Sequence, residues 1–192
     1  MKTNRKAAAL LLALLLTVPL SVPALAAERT EPLPIQNTDG VKLDEVYMEL
    51  EYIPEPLLCQ FEEYGWVLHM DQSYLEQLSQ EYGYRCVAAT SYKNKGIYLT
   101  AASSLVHEFG HFLHYTLDFN KETKALFEDE AESAGFLRYY ARRNFREYFA
   151  DCFAYWVKHR EDSAGLALMQ EQAPETYRYF EELERGGWVC SA

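Results

Sequence analysis

The sequence predicts an α+β fold: a small sheet with an edge strand ahead of a helix carrying an H-E-x-x-H pattern, then a largely helical C-terminal half. Three observations carry this. Short β-branched and aromatic runs bounded by turn residues fall between Trp66 and Thr100. Beyond Ser104 the apolar residues recur at helical spacing, with Leu105, Val106, Phe109, Phe112 and Leu113 on one buried helix. A small sheet with helices packed on it is an α+β design.

Residues 1–26 read as a signal peptide. Lys2, Arg5 and Lys6 make a basic start, residues 7–16 an apolar run, and Ala24-Leu25-Ala26 a small-residue cleavage site. As a membrane anchor the run is short, and Pro19 and Pro23 interrupt it. Residues 27–40 contain Pro32, Pro34, Asp39 and Gly40 and read as an extended leader, with residues 41–192 as one domain free of internal repeats. Cleavage after Ala26 leaves 166 of the 192 residues. A chain of that length buries about 70% of its unfolded surface.

Residues 54–64 read as a short amphipathic helix stopped by Gly65, and 66–70 as a strand. Residues 73–82 are helical, ending at Gly83. Residues 84–92 form a second strand, 93–96 a turn, and 97–100 a third strand, expected to be the edge on which a peptide lies by β-addition. Ser103 or Ser104 caps the helix that follows. Residues 122–133 make an acidic helix broken by Gly135, Asn144 caps a helix running to about His159, and Pro174 opens a last one that stops before Gly186.

Charge excludes several function classes. The formal net charge is −11, and loss of the three basic residues in the first 26 takes it to −14. Such a surface repels nucleic acid and anionic lipid, and no basic stripe argues otherwise. The expectation is a secreted monomer acting on a peptide or protein, without nucleic acid and without stable membrane association once the signal is removed. Cys59, Cys86, Cys152 and Cys190 allow three disulfide pairings and fit neither a zinc knuckle nor a Cys-x-x-Cys redox pair.

The chemistry concentrates in His107-Glu108-Phe109-Gly110-His111. Residues i and i+4 share a helix face, which sets the two imidazoles roughly 6 Å apart, within reach of one Zn²⁺. Glu108 is then placed beside the open coordination position as general base. A third ligand is required, and Glu147, at the start of an aromatic-rich helix, is the best candidate. The alternatives are a capping-box role for Glu147, three residues after Asn144, and His114 as ligand; His114 lies about 4.5 Å further along the axis than His111, too far for one ion. Asp151 shares a face with Glu147 and is placed to accept from a ligand imidazole. His69 and His159 read as surface residues.

With these positions in view, HEFGH followed by Tyr140, Asn144 and Glu147-Tyr148-Phe149-Ala150-Asp151 resembles the catalytic domain of anthrax lethal factor and the related small secreted Pro-Pro endopeptidases. The match spans residues 107–151; the preceding sheet agrees in order of elements. The resemblance implies zinc ligands at His107, His111 and Glu147, a general base at Glu108, and an oxyanion-stabilising tyrosine seven residues before the ligand glutamate, which is Tyr140.

The reading is a secreted zinc endopeptidase of the H-E-x-x-H plus Glu type. One rival is a lethal-factor-like domain that has lost turnover and serves as a binding or toxin-accessory module. The intact Glu108, dispensable for metal binding but needed for hydrolysis, argues against it. A structural zinc site is a second rival, but such sites fill all four positions, usually with cysteine, and no cysteine stands near this motif.

Overall fold

In the computed structural model the described residues are 33–188. The expected signal segment and Cys190 lie outside them. Four short strands, β1 (Ile35–Asn37), β2 (Val67–Met70), β3 (Ala88–Ser91) and β4 (Gly96–Leu99), form one sheet in the order β1-β2-β4-β3. The first two pairings are parallel and β3–β4 is an antiparallel hairpin. Eight α-helices are seen among the described residues: α1 (Asp44–Leu50), α2 (Glu55–Glu63), α3 (Gln72–Tyr82), α4 (Leu105–Thr116), α5 (Lys121–Glu130), α6 (Phe145–His159), α7 (Ser163–Gln172) and α8 (Pro174–Arg185). None is long and apolar enough to cross a membrane.

The local causes are the expected ones for most elements. Asp71 caps α3 by accepting from the Tyr74 amide at 3.0 Å, and Gly83 ends it in the left-handed region. Asn144 caps α6, accepting from the Arg146 and Glu147 amides at 3.0 and 3.1 Å. Pro174 sits in the first turn of α8, where a missing N–H costs nothing.

Three expectations need correction. The segment read as a leader supplies β1, which pairs in parallel with β2, so the sheet begins inside it. The strand over residues 97–100 is not an edge: β4 lies between β2 and β3 and is buried along its whole length, so the edge ahead of α4 is β3. Neither serine caps α4 through its side chain, because a 3-10 turn (Ala102–Ser104) feeds the helix instead. Helices α1 and α7 also form. Helix α1 buries Val46 and Leu50 and is tied to α6 by Lys158 and Glu49 at 2.7 Å. No disulfide joins Cys59, Cys86 and Cys152.

Helix α4 is the axis of the molecule. Leu105, Phe109, Phe112 and Leu113 are fully buried, and the rings of Phe61 and Trp66 pack on Phe112 at 5.1 Å each. Its other flank crosses α6 at Gly110, where a Cβ would stand 2.6 Å from Ala150 Cα and 2.9 Å from Ala150 O. Only hydrogen fits against that backbone. Gly110→Ala is therefore expected to wedge the two helices apart and cost about 2–3 kcal/mol, or about 5–10 °C in melting temperature for a domain of this size. Thermal and urea melts check it; a melting temperature equal to that of the parent protein would show that the helices can slide without penalty.

Candidate metal centre

The crossing of α4 and α6 brings three side chains to one point. His107 and His111 lie one turn apart on α4, with ring centroids 4.8 Å apart. From the first turn of α6, Glu147 Oε2 stands 3.1 Å from His107 Nε2 and 3.4 Å from His111 Nε2, and the three donor atoms all lie within 4.8 Å of one another. Donors on a tetrahedral ion with bonds of about 2.0–2.1 Å are about 3.3–3.4 Å apart. The spacing therefore fits a single ion after a small adjustment of the rings. Two imidazole nitrogens and one carboxylate oxygen leave a fourth position open, as a catalytic site requires. The Glu147 carboxylate turns to the histidines, not back to the Asn144 amide, so no capping box forms.

The electrostatics follow from this geometry. Burial raises the pKa of Glu147, but hydrogen bonds from His107 and His111 outweigh it and hold the carboxyl well below its ordinary range. Burial by itself lowers the pKa of His107. The Asp151 and Glu147 carboxylates more than offset it and push the value up to about 9. His107 Nδ1 meets Asp151 Oδ1 at 2.7 Å, an arrangement that leaves Nε2 facing Glu147 and His111. Asp151 is held in turn by Arg138, whose Nε donates to Oδ2 at 3.1 Å and whose Nη2 donates to Oδ1.

Glu108 is 6% exposed and accepts a hydrogen bond of 2.6 Å from Thr90 Oγ1 on β3, and it lines the same groove as His107 and His111. Tyr140 lies in a 3-10 turn (Tyr139–Arg143), with its ring centroid 6.5 Å from that of His107. The two adjacent tyrosines differ sharply: Tyr140 is 43% exposed and lines the groove over the centre, whereas Tyr139 is 86% exposed. Burial and the Glu147 charge raise the pKa of Tyr140, so its phenol remains a proton donor at neutral pH.

The family described as anthrax toxin lethal factor, N- and C-terminal domain, matches residues 86–183, a stretch that runs from just before β3 into the last turn of α8 and contains the whole centre. The chain belongs to this lethal factor family. No curated protein matches the sequence. Among solved structures, the Pro-Pro endopeptidase PPEP-2 from Paenibacillus alvei superposes with a TM-score of 0.61 at 17% identity, over 78% of this chain and 96% of that one. At that identity the likeness is one of fold. The lethal factor family is metalloprotease-like and implies a metal ion, and the group His107, His111 and Glu147 is able to bind one.

The remaining histidines stand apart. His114 is fully buried, bonded to Thr123 Oγ1 at 2.8 Å and stacked on Phe149, and burial lowers its pKa to about 3. It packs as a neutral side chain. His69 and His159, expected at the surface, are partly exposed and stack on Tyr98 at 4.4 Å and on Tyr155 at 4.0 Å. Two contributors escaped the sequence reading, Thr90 and Arg138. Neither has a spacing signal, since each reaches the centre from a separate strand or loop.

Proposed function

We propose that this chain is a secreted zinc endopeptidase with His107, His111 and Glu147 as metal ligands, Glu108 as general base and Tyr140 as oxyanion donor. The observation that carries the reading is the convergence of the three donor atoms within 4.8 Å, with Glu108 lining the same groove. Bound zinc would supply a Lewis acid that acidifies water and polarises a carbonyl. Glu108 takes the proton of the attacking water and returns it to the leaving amine. Tyr140 donates to the oxygen on which negative charge develops. The strand on which a substrate would lie is β3, the edge that carries Thr90 into the groove. The secretory reading rests on the sequence of residues 1–26.

The test is metal analysis of protein purified without chelator, alongside cleavage of a peptide library with and without a strong chelator. One zinc per chain and chelator-sensitive cleavage are expected. Protein that neither holds nor takes up zinc would overturn the proposal. Asp151 acts here through His107, so Asp151→Asn should weaken zinc affinity by about 10- to 100-fold. A competitive zinc titration reads this directly, and unchanged affinity would leave Asp151 as no more than a partner of Arg138.

A further inference from the structure

The groove over the centre, about 590 Å³ in volume, has a charge opposite to that of the chain around it. Arg85, Arg138, Arg143 and Arg146 line it, and the acidic residues in its wall are Glu108 and Glu147, both committed to the centre. Arg138 is spent on Asp151, and the neighbouring Arg142 on Glu132. Arg85, Arg143 and Arg146 have no carboxylate partner among the described residues, and all three are exposed.

Two of these guanidinium groups are parked on aromatic faces. Arg143 lies 5.6 Å from the ring centres of both Tyr84 and Tyr140, one on the strand side of the groove and one on the helical side. Arg146 lies 4.5 Å over Phe119 and 5.7 Å from Phe145. Stacking uses the face of a guanidinium; Arg143 also hydrogen-bonds the Tyr140 hydroxyl, and the remaining N–H donors are left for a carboxylate in a pre-set orientation that costs little entropy to hold. The formal charge of −11 on the whole chain does not cancel this local field. At physiological salt, screening sets in over about 8 Å, so a ligand in the groove responds to the arginines beside it more than to acidic residues elsewhere on the surface.

We propose that the groove selects peptides with acidic side chains close to the scissile bond, bound by Arg143 and Arg146 with Arg85 on the strand side. The proposal rests on the endopeptidase reading of the same site. It assigns a substrate class, aspartate- or glutamate-bearing peptides, that the net charge of the protein by itself would disfavour.

Fluorescence anisotropy on zinc-loaded Glu108→Gln protein tests it with three labelled octapeptide pools of equal apolar content, bearing Asp/Glu, Asn/Gln or Lys/Arg at the variable positions. The acidic pool is expected to bind about tenfold tighter than the amide pool, an advantage that shrinks in 0.5 M salt. In an Arg143→Gln/Arg146→Gln background the ratio should fall to within about twofold, while Arg143→Lys/Arg146→Lys, which keeps the charge but not the stacked fork, should give an intermediate ratio. Ratios taken within one variant cancel any general loss of binding, and circular dichroism confirms that each variant is folded. Equal binding of acidic and amide pools, or a ratio that survives the double Gln change, overturns the proposal.

Parallel digestion of the pools by the unsubstituted protein separates the two readings. Acid-selective binding without any cleavage would defeat the endopeptidase function and leave the recognition intact. Cleavage without acid preference would do the reverse. Neither binding nor cleavage would overturn both.

Discussion

Glu108→Gln is expected to keep the fold and the metal but lose about 10²–10⁴-fold in kcat, the range assigned to a positioned general base. The substitution is close to isosteric, and the side-chain amide can still accept from Thr90 Oγ1, which now stands 2.6 Å from the carboxylate. Glu108 is not among the three converging donors, so zinc content should stay near one per chain. The informative comparison is therefore kcat against metal content and melting temperature in the same preparation. A variant as active as the parent protein would sink the assignment of the base. A variant that lost its zinc would show that Glu108 holds the metal instead of moving a proton.

Tyr140→Phe should be slower by about 100- to 1000-fold in kcat, the loss expected when one oxyanion donor is removed, with KM and zinc content little changed. Tyr139→Phe serves as the control. Its side chain points into solvent at 86% exposure, so the variant should behave like the parent protein. If both were simply packing residues, the two variants would lose activity together and in step with stability. A slow Tyr139→Phe beside a normal Tyr140→Phe would move the role by one residue.

The parts of this molecule that a sequence discloses are those fixed by local geometry. The relation of His107, Glu108 and His111 is set by helical periodicity alone, and Asn144 pins the start of α6 closely enough to orient Glu147 and Asp151. Strand order is not local. Helical crossovers decide whether β4 lies inside or at the edge, although its uninterrupted apolar burial is what an interior strand shows, against the more mixed Ala88–Ser91. Strand β1 is three residues long and lacks any pattern of its own. Helix α7, with Met169 its buried residue, has almost no amphipathic signal to read. The value of Gly110 is invisible until Ala150 is seen against it. Arg138 and Thr90 act across the fold, where no sequence spacing connects them to His107 or Glu108.

The same sheet has a consequence for the order in which the chain assembles. Strands β3 and β4 close through a short turn, and α4 follows them directly, so this stretch can organise from neighbouring residues alone. Strand β2 must find β4 about thirty residues away, pairing Leu68 with Ile97, and β1 must find β2 over a similar distance, pairing Ile35 with Leu68. Closing loops of that length before their contacts return any energy is slow. The hairpin and α4 are therefore expected to gain amide protection first and the parallel β1–β2 edge last, which pulse-labelled hydrogen exchange during refolding would check.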